Sequence, residues 1–242
     1  MARILLFGGT GGIGQALMAA LVDHYPNLHM VAPIRPTATL PPVTLSNNQT
    51  IRTIHWDSPD ALGDCLAPEA TAPFDMCLCA IGGLHQNGQG PEKKLAHITP
   101  EYFQWATHCN TVLPAMVIKH CAHLMTKQTP SVMGILSARV GSIGDNRLGG
   151  WYSYRAAKAA LNMIIKSAAI EMKRYNKNLS IVGIHPGTVD TALSAPFQSH
   201  VAPKSLFSPQ QSATCILNNI VHSVGPEQSG QVFAWDGQRI PE

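Results

Sequence analysis

Ile4-Leu5-Leu6-Phe7-Gly8-Gly9-Thr10-Gly11-Gly12-Ile13-Gly14-Gln15 decides the fold class. Four apolar residues make a short strand, a glycine-rich turn follows, and from Gln15 to His24 apolar residues recur at helical spacing. Strand, glycine turn and helix in that order bring backbone N–H groups and the positive end of a helix dipole to one point. A pyrophosphate can approach that point without side-chain obstruction. The glycines at 8, 12 and 14 give G-x-x-x-G-x-G rather than G-x-G-x-x-G.

Further along, short apolar runs recur at Leu28 to Ala32, Ile51 to His55, Met76 to Ile81, Val132 to Leu136 and Ile181 to Ile184. They rarely alternate, and each is separated from the next by enough chain for a crossover, as buried parallel strands require. Helices are expected at Asp60 to Leu66, Pro100 to Met125, Tyr152 to Tyr175 and Pro209 to Val224. The pattern predicts one domain over 1–242, a doubly wound α/β fold with a single parallel sheet between two helical layers, of the three-layer Rossmann type. Four prolines between Pro33 and Thr50 predict that the helix after the second strand is missing or very short. His85 to Gln89 and Ala195 to Pro209 read as loops beyond strand ends, where α/β sheets place substrates.

With 242 residues, 45% hydrophobic and 13% charged, the chain is neither disordered nor a charged coiled coil. A net charge of +3 with no basic run longer than two excludes nucleic acid as a main partner. No apolar run approaches the length of a membrane span or a signal-peptide core, so no membrane partner and a cytoplasmic location are expected. Six cysteines without C-x-x-C read as buried free thiols. His120-x-x-His123 has no convincing third ligand nearby, so no metal site is expected.

Tyr154-Arg155-Ala156-Ala157-Lys158 puts a phenol and an ammonium one helical turn apart on one face. A free tyrosine, with a pKa near 10, is too weakly acidic to exchange protons readily at neutral pH, and a neighbouring Lys⁺ stabilises its phenolate.

With Gly8-x-x-x-Gly12-x-Gly14 and Tyr154-x-x-x-Lys158 in place, the sequence resembles the short-chain dehydrogenase/reductase family over essentially its whole length. Asn110 matches the family's catalytic asparagine, and His185-Pro186-Gly187-Thr188-Val189-Asp190-Thr191 looks like its P-G motif, which closes over nicotinamide. Within the family the chain is most similar to the C-factor-like and sniffer-like carbonyl reductase branch, through Gly141-Ser142-Ile143, Gly149 to Arg155 and Trp235-Asp236-Gly237. The resemblance implies catalysis by Tyr154, Lys158 and Asn110. It also implies cofactor contacts from Gly8, Thr10, Gly12, Ile13 and Gly14, from Ala80 and Gly82, and from Tyr154, Lys158, Pro186, Gly187, Val189 and Thr191.

Two departures stand out. Where the family has N-N-A-G, this chain reads Cys79-Ala80-Ile81-Gly82, which puts local bracing in question. Where the branch has a second serine to polarise the substrate carbonyl, it has Ala138. Ser137 then becomes the candidate catalytic hydroxyl, with Ser142 as the other available one.

NADP is expected over NAD. No acidic residue stands between Asp23 and Asp57, whereas Arg35, 21 residues past Gly14, suits a 2′-phosphate and leaves Asp57 for the adenine edge. Two functional readings follow. One is an NADP-dependent oxidoreductase, a carbonyl reductase acting on a small carbonyl or alcohol; the other is a C-factor-like nucleotide-binding signalling protein with weak or lost catalysis. Alanines through the helix from Tyr152, and the family's habit of pairing through the helices that carry Asn110 and Tyr154, predict a homodimer or homotetramer.

Overall fold

The computed structural model describes residues 1–200 and 202–242. Strands β1 (Ala2–Phe7), β2 (Leu28–Ile34), β3 (Gln49–His55), β4 (Met76–Cys79), β5 (Ser131–Leu136) and β6 (Leu179–His185) carry the apolar runs. Period-two alternation explains why they lie in the middle layer. Along β1, Leu5 and Phe7 enter one core with Cys77, Met133 and Leu161, while Ile4 and Leu6 enter the opposite core with Leu17, Leu21 and Ile216. A sheet apolar on both faces has to be covered on both, and it is.

Helices α1 (Gly12–His24) and α6 (Pro209–Ile216) cover one face. The other is covered by α2 (Leu62–Leu66), α4 (Leu113–Cys121) and α5 (Tyr152–Met172), with α3 (Pro100–Thr107) packed against α5. Two short strands, β7 (Thr188–Val189) and β8 (Leu206–Phe207), pair outside the main sheet. A last strand, β9 (Val232–Ala234), joins its edge beside β6. The main sheet runs β3-β2-β1-β4-β5-β6-β9, with all pairings parallel. Strand order reverses between β1 and β4, so the chain leaves their carboxyl ends toward opposite faces of the sheet and a crevice opens above them.

Several sequence expectations need correction. Pro100 to Met125 is not one helix: after α3 a π-helical turn spans His108–Val112 and holds Asn110 before α4 begins. The helix from Pro209 likewise passes into a π turn at Leu217–Val221. β2 runs through Pro33, which is tolerated because pairing with β1 ends at Val31 and the missing N–H has no ladder partner to satisfy. No helix occurs between Ile34 and Gln49, as the prolines predicted. β7 to β9 escaped the periodicity because each has only two or three residues.

Candidate active site

A cleft of about 470 Å³ opens at the strand-order reversal. Gly8 and Thr10 from the turn after β1, Arg35 after β2, and Ala80 and Gly82 after β4 all line it. Gly8 has φ +79°, and a Cβ there would lie 2.7 Å from the Ala80 carbonyl, so the two strand ends meet only because this residue has no side chain. A Cβ on Gly14 would overlap the Gly8 carbonyl, which is what lets α1 start tight against the turn. Ile13 packs its side chain toward the core rather than the cleft.

From the segment after β6, Ala192 and Leu193 line the cleft, whereas Pro186, Gly187, Val189 and Thr191 are packed beside it. Val189 is buried, Gly187 (φ +83°) lies under the Phe207 and Trp235 rings, and the Pro186 carbonyl accepts a bond from Ser212 Oγ at 2.8 Å. Phe207 and Trp235 meet edge to face at 4.6 Å. Thr191 reaches back over the glycine turn, so that a Cβ on Gly12 would lie 2.7 Å from its methyl group. His85 Nε2 stands 3.2 Å from the Ala192 carbonyl, joining the loops after β4 and β6 across the opening.

Asp57 is exposed and does not line the cleft. The neighbouring Trp56 does, buried edge-on to Phe7 with ring centroids 6.2 Å apart, because alternation at the end of β3 turns it inward. Trp56, rather than Asp57, is the residue at this strand end that faces the cleft. Trp105, on α3, and Cys109 line the same cleft, and neither had a sequence signal.

α5 carries the reactive pair. Lys158 is buried and donates from Nζ to the Leu136 carbonyl at 2.9 Å, with Nζ 5.8 Å from the centre of the Tyr154 ring. Burial pulls its pKa down to about 8, against a smaller opposing pull from Cys79. Desolvation also pushes the Tyr154 phenol above its ordinary value, so its phenolate forms less readily still than in water. This qualifies the simple picture of a lysine-stabilised phenolate: in the free protein desolvation dominates at the phenol.

Asn110 is fully buried. Its Nδ2 donates to the Gly83 and Ala106 carbonyls at 2.8 and 2.9 Å, and the Gly83 N–H donates to Oδ1 at 3.1 Å. The bracing lost with the N-N-A-G asparagines is therefore supplied from α3 and the π turn. Gly82 lies between Asn110 and Lys158: a Cβ there would be 3.2 Å from Oδ1 and 3.7 Å from Nζ. Cys79, standing in an asparagine's place, is a buried thiol pushed up to about 12 mainly by desolvation, and is inert as a nucleophile.

The expectation for Ser137 is altered by its contacts. Its Oγ donates to Asn162 Oδ1 at 2.6 Å and is buried against α5. Ala138 beside it is extended (φ −154°, ψ 148°), and alternation points the two side chains to opposite sides. Ser142 is buried too, its Oγ accepting from the Asp145 N–H at 3.1 Å. Both hydroxyls serve the protein's own framework.

Aromatic rings wall the approach to Tyr154. The Trp151 ring lies 6.1 Å from that of Tyr154, the Phe197 ring lies 5.4 Å from that of Trp151, and Phe197 in turn stands 6.2 Å from His85. Among the described residues, no group of three or more His, Cys, Asp or Glu side chains is placed to hold a metal ion, and no helix is long and apolar enough to cross a membrane.

A glycine-lined crevice at the reversal of a parallel sheet, with a partly buried tyrosine and a buried lysine one turn apart beside it, defines a dinucleotide-type α/β protein. The chain belongs to the short chain dehydrogenase family, whose model matches residues 2–202. It is 35% identical over 128 residues to 1-hydroxy-2-glutathionyl-2-methyl-3-butene dehydrogenase of Rhodococcus sp. (strain AD45), covering 53% of each chain. It is 31% identical over 106 residues to C-signal of Myxococcus xanthus, covering 44% of this chain and 58% of that one. The chain thus spans about half the length of the curated relatives it matches. Among solved structures, the carbonyl reductase Sniffer of D. melanogaster superposes with a TM-score of 0.81 at 21% identity, with both chains covered fully. NADPH-bound carbonyl reductase from chicken fatty liver gives 0.80 at 17%, covering 100% of this chain and 94% of that one. At those identities the likeness establishes the fold.

Proposed function

We propose that this protein is an NADP(H)-dependent oxidoreductase that reduces a small, largely apolar carbonyl compound to its alcohol. The observation that carries the reading is the pair on α5: the partly buried Tyr154 phenol one turn from the buried Lys158, beside a glycine-lined cleft. The residues present fit a nicotinamide dinucleotide. The glycine turn has no side chains to obstruct a diphosphate, and the cleft is continuous from Arg35 to Gly82. Such a cofactor supplies hydride chemistry when bound.

The protein's own residues do the rest. Tyr154 donates its proton to the carbonyl oxygen and regains one from solvent. Lys158, charged below about pH 8, holds a ribose hydroxyl and steadies the phenolate left behind. Asn110 keeps the loop after β4 in register with both. Trp151 and Phe197 exclude water and favour apolar or aromatic substrates.

Arg35, exposed in the cleft wall with no carboxylate in its segment, supports NADP over NAD. The six cysteines are free, which suits the reducing cytoplasm. The intact Tyr154–Lys158 pair favours an enzyme over the binding-only alternative. Steady-state oxidation of NADPH against a panel of aldehydes, ketones and quinones tests the reading. Turnover is expected, with NADPH bound more tightly than NADH and with Arg35→Ala abolishing that preference. Cofactor binding without turnover across the panel would establish the signalling alternative instead.

A further inference from the structure

Glu92 lies in the insertion after β4 and is 3% exposed, deep for a carboxylate. Both its oxygens go to one residue: Oε2 accepts from the Ser153 backbone N–H at 3.1 Å, and Oε1 accepts from the Ser153 hydroxyl. Its main-chain carbonyl accepts from the Trp151 N–H at 2.6 Å. Ser153 is fully buried.

These bonds do what α5 does not do for itself. Its N-cap residue, Trp151, sits in the left-handed region (φ 52°) and offers no side-chain acceptor to the first turn. Glu92 provides the acceptor from 61 residues away and adds a negative group at the positive end of a 21-residue helix. Tyr154 is the next residue. Anchors at Trp151 and Ser153 therefore set where the reactive phenol leaves the helix axis. The same insertion also reaches the substrate side, where Gly90 packs against Phe197 and the Leu84 carbonyl accepts from the Tyr102 hydroxyl at 2.7 Å.

We propose that Glu92 is a positioning residue for Tyr154, holding the first turn of α5 so that the phenol meets the substrate carbonyl at a fixed place. This inference rests on the reductase reading and deepens it. Glu92 itself touches neither Tyr154's hydroxyl nor the cofactor cleft.

The test uses the full-length protein, counting folded sites by NADPH fluorescence titration and expressing turnover per NADPH-binding site. Glu92→Ala should lower kcat by about 10- to 100-fold, the cost of misplacing a reacting group by ~1 Å, with NADPH affinity unchanged. Glu92→Gln should recover most of the rate, because its amide keeps an acceptor for the N–H and offers a donor to the hydroxyl. Ser153→Ala, which loses one of the two side-chain anchors, should fall between. Should Glu92→Ala fail to fold, Ser153→Ala decides alone, and a wild-type kcat for it overturns the proposal. Wild-type turnover per site in Glu92→Ala, or loss of kcat and NADPH binding in parallel, would also overturn it, the latter marking a general structural role. A wild-type protein that binds NADPH yet turns over no carbonyl would overturn the reductase reading and this inference with it.

Discussion

At Ala138 one oxygen atom separates this chain from the second serine of the branch it resembles. Such a hydrogen-bond donor is worth about 2.7 to 4 kcal/mol at a developing oxyanion. Of the two nearby hydroxyls, Ser137 spends its proton on Asn162, whereas Ser142 accepts from the Asp145 N–H and keeps its own proton to donate. Tyr154 and Ser142 are then the hydroxyls left to meet the carbonyl's charge. Tyr154→Phe should abolish NADPH oxidation, and Ala138→Ser should preserve or raise kcat. Ser137→Ala should leave the rate nearly intact while costing about 1 kcal/mol of stability through its buried bond, read by denaturant unfolding. A loss of rate above tenfold in Ser137→Ala would instead make that hydroxyl the donor. Lys158 gives a second prediction at this scale. With its pKa lowered to about 8, the ammonium is lost as pH rises through 8, where an exposed lysine would still be charged. NADPH affinity should weaken above pH 8 in titrations, and Lys158→Met should bind weakly at every pH without that slope.

At the level of elements, the strands were legible because each is an uninterrupted apolar run, and the glycine turn and Tyr154–Lys158 because their spacing is local. What could not be read was set by distant contacts. The π turn at Asn110 leaves no mark on a helical periodicity that runs through it; it is defined by the amide's bonds to Gly83, 27 residues earlier. Trp56 was passed over for Asp57 because a carboxylate advertises polar chemistry, whereas inward alternation at a strand end does not. Glu92 gave no signal, since its partner is 61 residues away. The end of β6 carries its own prediction. Burial, aided by Arg139 and opposed by Asp236, pulls His185 down to about 4 from 6.5. Between those values the unfolded chain takes up a proton that the folded one refuses, so stability falls as pH drops from 6.5 toward 4. Unfolding free energy should decline across that window by about 3 kcal/mol, and His185→Asn should flatten that part of the slope. His120 and His222, also lowered by burial, add in the same direction.

Across the whole molecule, the outward face of α5 bears Ala156, Ala160, Met163, Ser167 and Ile170, all exposed and spaced to form one stripe. Phe103 on α3 and Val112 after the π turn are exposed as well. Small and apolar side chains on helices that hold the reactive residues suit close packing against a second copy, which is the homodimer we propose. Sedimentation should give twice the chain mass at micromolar concentration. Ala160→Glu should return it to the monomer and lower kcat, since α5 also carries Tyr154. A wild-type monomer would exclude the arrangement.

The chain has four tryptophans, and two of them line the cleft. Trp56 and Trp105 line the cleft, Trp151 flanks Tyr154, and Trp235 packs on Phe207 beside Gly187. Much of the protein's ultraviolet emission is thus an optical report on its crevice. Excited indoles this close to a bound dihydronicotinamide should pass their energy to it, so that adding NADPH quenches the protein's emission and brightens the ligand's own. The signal needs no label and no turnover.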